Sequence, residues 1–191
     1  MLSIIKELTR NATVDAAQLA DLEQFIIKKQ LKKGDFVQYK GDFSSKSYFV
    51  LKGCLRSYAI DEKGKEHIFM FAPEGWIMGD VEALASDKPC QLFIDAIEDT
   101  EIEIFEGSLF NKIQAIRDDV FTVTNAKLMR RMAVLQRRII MLMSYSALAR
   151  YRDFVETYPN IVQRVPQKMI ASYLGITPEA LSKIRGDSAK K

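Results

Sequence analysis

Apolar positions recur at helical spacing near the start of the chain. Leu2, Ile5 and Leu8 mark one short helix, and Leu19, Leu22, Phe25 and Ile26 mark a second behind an Asp15 cap, so residues 1–29 read as two helices. The texture then changes. Six of the nine glycines (Gly34, Gly41, Gly53, Gly64, Gly75 and Gly79) fall within 46 residues, four to twelve apart. The intervals between them carry β-branched and aromatic residues at 36–39, 47–51, 55–60 and 67–71. Short strands with turn signals at this spacing predict an all-β barrel or sandwich rather than βαβ units. Asp61-Glu62-Lys63-Gly64 is a hairpin turn, and two further strands are expected around Gln91–Ala96 and Glu101–Phe105.

After Gly107 the pattern turns helical and stays so. Phe121, Asn125, Leu128, Met132, Leu135, Ile139 and Leu142 are spaced 4, 3, 4, 3, 4, 3. A seam sustained over three heptads calls for a partner helix, with Asn125 as a polar residue that sets register. Arg130, Arg131, Arg137 and Arg138 are expected to flank the seam on the solvent side. The competing reading is a long helix packed on its own barrel. A further helix runs from Tyr145 to Tyr158 and ends at Pro159.

The densest signal lies at residues 167–185. Ile170 and Leu174 give a first helix its apolar face, and Ala171 is small where a second helix must cross. Gly175 supplies the left-handed residue that ends the first helix, and Ile176 fills the corner. Thr177 is then an N-cap, and Pro178 takes the first helical position, where its missing N–H costs nothing. Leu181 and Ile184 face inward, leaving Pro178, Glu179, Ser182, Lys183 and Arg185 to project from a short second helix. This is a helix-turn-helix pattern, whose second helix enters the DNA major groove.

Charge placement supports that reading. The chain has 191 residues and a formal charge of +3, yet residues 163–191 hold six basic and two acidic side chains, leaving +4 there and −1 elsewhere. A basic segment on a near-neutral body favours a polyanionic partner over a merely solubilising tail. Composition is otherwise that of a globular domain, 48% hydrophobic and 28% charged. Two cysteines, Cys54 and Cys90, are too few for a zinc or iron–sulfur cage and read as packing residues. The opening MLSIIKELTR lacks the features of a signal peptide, and no apolar run reaches the roughly 18 residues of a membrane span, so a cytoplasmic protein is expected.

The order of helical lead, glycine-punctuated β-roll, long helix and helix-turn-helix resembles the cyclic AMP receptor/fumarate-nitrate regulator (Crp-Fnr) superfamily of bacterial transcription regulators. The resemblance covers nearly the whole chain, through Gly34-Asp35, Val50-Leu51-Lys52-Gly53, residues 61–66, Pro73-Glu74-Gly75 and Gly79-Asp80. Residues 117–150 align without gaps to the family's dimerisation helix. It implies an α+β chain: a cyclic-nucleotide-binding-like jelly roll over 1–116, a dimerisation helix over 117–143, and a reduced winged-helix domain over 144–191. It implies DNA contacts at Gln167, Pro178, Glu179 and Lys183, to which the helix-turn-helix reading adds Lys168, Thr177, Ser182 and Arg185. Glu179 is placed to accept from a cytosine amino group, and Lys183 and Arg185 to reach guanine or phosphate. The implied partners are a pseudo-palindromic operator in double-stranded DNA, a second copy of the chain, RNA polymerase and a small-molecule effector.

The effector pocket implied by the resemblance comprises Met78, Gly79, Asp80, Cys90, Gln91, Leu135 and Gln136, and here the chain departs from the family. Cys90-Gln91 stand where cyclic-nucleotide binders have Arg-Ser, Asp80 stands where glutamate holds the ribose, and Leu135-Gln136 replace the polar pair that meets the purine. No arginine lies between Arg56 and Arg117, so a cyclic phosphate would lack its bidentate partner, and cyclic AMP and cyclic GMP are not expected to bind. His67, the single histidine, reads as a half-exposed strand residue rather than a haem ligand, and no cofactor or metal is expected. A cupin-like metalloenzyme needs two or three histidines, and no phosphate loop, HExxH or GxSxG appears, so an enzyme is not expected. The remaining alternative is an effector or scaffolding module whose C-terminal helices dock on a protein, in which case Lys183 and Arg185 would be dispensable. The wing that usually follows the recognition helix is either absent or replaced by strands around Ile161–Val165.

Overall fold

The computed structural model describes residues 3–9, 14–43, 46–86, 88–116 and 120–189, with the side chains of 120–124, 126–128, 130–131 and 188–189 outside that description. Leu2, Arg117, Lys190 and Lys191, and the side chains of Phe121, Leu128, Arg130 and Arg131, therefore lie outside the described residues. Two compact units are formed, Met1–Ala59 with Met70–Leu128, and Ile60–Phe69 with Met129–Lys191.

From the N-terminus, α1 (Ile4–Leu8) and α2 (Ala16–Glu23) precede β1 (Ile27–Leu31), β2 (Phe36–Gln38), β3 (Ser47–Lys52), β4 (Leu55–Ile60), β5 (Glu66–Ala72) and β6 (Ile77–Met78). Then come α3 (Val81–Ala85), β7 (Phe93–Ala96), β8 (Thr100–Phe105) and α4 (Gly107–Gln114). The strands make two four-stranded sheets, ordered β1-β8-β3-β6 and β2-β7-β4-β5, a jelly-roll-like arrangement as the resemblance implies, where the glycine spacing predicted a barrel or sandwich. Side-chain alternation divides each strand between two environments. Tyr48, Val50, Leu55, Ile94, Ala96 and Ile102 fill a core between the sheets. Phe49 and Phe105 face the other way and pack with Ile4, Leu8, Leu22, Leu109 and Ile113 of the helices. Glu103, almost fully buried on β8, accepts the Ile4 N–H at 2.7 Å and the Ser3 hydroxyl at 3.2 Å, satisfying the first turn of α1. Gly53 turns β3 into β4 at φ +87°, where a Cβ would stand 2.5 Å from Thr100 Oγ1 and 2.6 Å from the Asp99 carbonyl, so only glycine fits.

A long helix, α5 (Val120–Ser144), leads to α6 (Ala147–Thr157), α7 (Gln167–Leu174) and α8 (Pro178–Ala189). Ser146 caps α6 by accepting from the Ala149 N–H at 3.3 Å. The core of the second unit is an aromatic triangle of Phe154, Tyr158 and Tyr173, with ring centroids 5.2 to 5.7 Å apart. Ile161, Val165, Ile170, Ala171, Leu174 and Leu181 are buried with it.

Several expectations are corrected. The second helix stops at Glu23, and β1 begins at Ile27, so Phe25 and Ile26 lie in the connection and the roll starts before Lys33. Pairing of Ile27–Leu31 with Ile104–Thr100 outweighs the local helical spacing. The helical stretch after Gly107 is not continuous, since α4 ends in a turn at 115–116. No strand forms at Ile161–Val165, where consecutive turns close on Tyr158 and Ile161 carbonyls. The second helix of the motif is not short, because α8 runs twelve residues.

Candidate nucleic-acid interface

The turn between α7 and α8 is built as the residue types require. Gly175 adopts φ 66°, ψ 37°, its N–H donates to the Ser172 carbonyl at 3.1 Å, and the Ile176 N–H donates to the Ala171 carbonyl at 3.0 Å. Thr177 Oγ1 accepts the Ala180 N–H at 3.2 Å and starts α8. Ala171 and Leu181 are buried, and Ile176 and Ile184 are half-buried, anchoring the two helices to each other and to α6.

Gln167, Lys168, Thr177, Pro178, Glu179, Ser182 and Lys183 are all exposed on the α7 start and the α8 outer face. Arg185 departs from expectation and is half-buried. It lies four residues after the fully buried Leu181, one helical turn on, so its aliphatic stem shares the inward edge of α8. The Glu179 carboxyl is held below the ordinary glutamate range, first by its own backbone N–H and then by the Thr177 hydroxyl. An exposed lysine, two hydroxyls and an ionised carboxylate on one helical face form a mixed donor and acceptor surface suited to base edges and phosphates.

Along α5, the seam residues Asn125, Met132, Ile139 and Leu142 are exposed within the chain, and Leu135 is half-buried. Met132 and Ile139 leave 54% and 58% of their surface uncovered, which is much apolar area for one helix. Arg137 is on the solvent side and pairs with Asp153 at 3.2 Å. Arg138 is not: it turns inward and is half-buried, because it sits on the flank of α5 that carries the buried Met141.

In the roll, Met78, Gly79, Asp80, Cys90 and Gln91 converge on one loop. Asp80, 4% exposed, caps α3 through the Ala83 N–H at 3.3 Å. Its second oxygen accepts the N–H groups of Gln91 at 2.7 Å and Leu92 at 3.1 Å. Met78 and Cys90 are buried, whereas Gln91 is exposed with its amide turned to the Pro89 carbonyl at 3.1 Å. Leu135 and Gln136 belong to the second unit, where Gln136 is exposed. Cys54 is buried like Cys90, and His67 stands on β5 with Nε2 2.7 Å from Asp61 Oδ2. Among the described residues no three potential metal ligands cluster, and no helix is long and apolar enough to cross a membrane.

One group of residues escaped sequence reasoning. Ser172 and Arg138 hold the tip of the β4–β5 hairpin, a contact whose partners are 70 to 106 positions apart and leave no periodic trace.

Comparison with known proteins agrees with this architecture. Residues 28–116 match the cyclic nucleotide-binding domain family. The fumarate and nitrate reduction regulatory protein of Vibrio cholerae is 26% identical over 202 aligned residues, covering 95% of this chain and 77% of that protein. Lysophospholipase nte1 of Aspergillus terreus is 35% identical over 85 residues, and there the match takes in 44% of this chain but only 5% of the relative's length. Among solved structures, FixK2 from Bradyrhizobium japonicum superposes with a TM-score of 0.74 at 20% identity, covering 86% of this chain and 85% of that one. With its β-roll, long helix and helix-turn-helix in this order, the chain is similar over nearly its whole length to regulators of the Crp-Fnr superfamily.

Proposed function

We propose that this chain is a homodimeric, sequence-specific DNA-binding transcription regulator whose β-roll does not take cyclic AMP. The observation that carries the reading is the α7–Gly175–α8 unit, with its left-handed glycine, its Thr177 cap and an outer face of Pro178, Glu179, Ser182 and Lys183 left exposed. Two such heads related by a two-fold axis present recognition helices roughly 34 Å apart, one turn of DNA. The exposed Met132, Ile139 and Leu142 supply the apolar seam for that axis. In this reading residues 1–116 form the effector-type domain, 117–143 the dimerisation helix and 144–191 the DNA-binding domain. RNA polymerase and an uncharged or apolar effector are its further partners.

The test is fluorescence-anisotropy titration of random-sequence duplex DNA across a salt series, with wild type beside the Lys183→Ala/Arg185→Ala double variant. The expected slope of log affinity against log salt is about −0.9 per phosphate contact, made shallower by the double substitution. Binding that is absent, or indifferent to both residues, would instead favour a module that docks on protein. Sedimentation of Ile139→Glu, expected to give monomers, checks the seam.

A further inference from the structure

Three helices of the second unit meet around a small cavity. Arg138 and Met141 line it from the end of α5, Arg150 and Asp153 from α6, and Tyr173 and Leu174 from the last turn of α7. Its volume of ≈ 20 Å³ admits one water-sized body.

Two cations border this space. Arg138 lies across the face of Tyr173, with its guanidinium 4.0 Å from the ring centroid. Its Nη2 is committed to the Ile68 and Tyr173 carbonyls, at 2.8 and 3.1 Å. Burial pushes this guanidinium below the ordinary arginine range, so its charge is held at a desolvation cost. Arg150 lies against the turn between α7 and α8, its Nη1 3.6 Å from where a Cβ on Gly175 would stand. The Nε–H of both side chains is buried and has no hydrogen-bond partner among the described residues.

The C-terminus of α7 explains why cations gather here, because its last carbonyls carry partial negative charge and Arg138 caps one of them. It does not account for the two Nε–H groups, charged donors whose burial without an acceptor is costly. Asp153, the acidic residue of the lining, is already paired with Arg137, Nε to Oδ1 at 3.2 Å. With Arg137 included, three guanidiniums surround the cavity against one carboxylate. The buried side chains of Met141 and Leu174 make the rest of the wall apolar. Surplus positive charge, unused donors and room for one small body suit a monatomic anion, and the space is too small for phosphate or sulfate.

We propose that this cavity binds one small monovalent anion, chloride under ordinary conditions, held by Arg138 and Arg150. Occupied, it ties the end of α5 to α6 and to the C-terminus of α7 beside the turn at Gly175. The inference does not rest on the DNA-binding reading and is tested without DNA.

The experiment follows the chloride NMR line width and the thermal melting of the full chain as chloride replaces gluconate at constant ionic strength. The wild type should broaden the chloride signal saturably and gain about 3 °C in melting temperature at ten times the Kd. Arg150→Met, which removes one donor and its charge, should abolish the saturable component. Arg150→Lys, which keeps the charge but not the Nε–H, should weaken the affinity about tenfold. Arg152→Met, on the exposed side of α6, should behave as wild type. Circular dichroism checks that each variant is folded, and if Arg150→Met is not, the wild type and Arg150→Lys decide the matter. Broadening that stays linear in chloride for the wild type overturns the proposal, as does saturation unchanged in the folded Arg150 variants. Bromide should displace chloride, and displacement by sulfate at equal concentration would overturn the assignment to a monatomic anion.

Discussion

Arg56 and Asp95 oppose each other across β4 and β7 as a bidentate ion pair, Nε to Oδ1 at 2.7 Å and Nη2 to Oδ2 at 2.8 Å, with both side chains almost wholly buried. The guanidinium also lies 4.2 Å over the Tyr58 ring. The one arginine in the strands of the roll is therefore committed to structure and is not free to meet an anionic ligand. Removing one partner leaves the other charge buried and uncompensated. Asp95→Ala should lower stability by about 3–5 kcal/mol in urea unfolding, while Arg56→Met with Asp95→Leu should recover much of that loss.

Asp80 leads to a second expectation. Its carboxylate already occupies the N–H groups of Ala83, Gln91 and Leu92, so those amides are not available to a cyclic phosphate. Millimolar cyclic AMP or cyclic GMP should leave the melting temperature unchanged, whereas a ligand present at a hundred times its Kd adds about 2.7 kcal/mol. Asp80→Ala should cost about 1 kcal/mol through the lost cap.

At Gly175 the backbone sits at φ 66°, and an added Cβ would lie 3.4 Å from Leu142 Cδ2 and 3.6 Å from Arg150 Nη1. Space is adequate there, so the penalty of Gly175→Ala is conformational, about 1–2 kcal/mol for an L-residue in the left-handed region. Exchange should quicken in α7 and α8 and stay unaltered in β3 and β8, with Gly175→Asn milder than alanine.

The Glu179 carboxyl predicts a pH response. Its folded value lies below its ordinary one, so the first turn of α8 gains stability above the ordinary glutamate range and loses that gain as pH falls through the lower folded value. The amides of Glu179 and Ala180 should shift together in an NMR titration at acid pH. Glu179→Gln should abolish that shift and, on the proposed DNA-binding reading, weaken preference for cytosine in the selected operator.

Much of this architecture was legible in the chain because it depends on neighbours. Glycine spacing announced the strands of the roll, and Gly175, Thr177 and Pro178 specified one turn through their own backbone preferences. The caps of Asp15 and Thr177 act within three residues, a range that sequence reads directly.

Long-range pairing decided the rest. Ile27–Leu31 became a strand because β8 offered an edge, against a local helical spacing. Arg138 and Arg185 looked like surface charges, and only the packed helices show which flank of each turns inward. The duty of Asp80 depends on amides eleven and twelve residues away, and the Ser172 hydroxyl meets the Ile68 N–H and the Glu66 carbonyl 104 and 106 residues away. Periodicity records which face of an element is apolar. It holds no record of which distant backbone groups a lone hydroxyl or guanidinium will find, because that is set only when the elements pack.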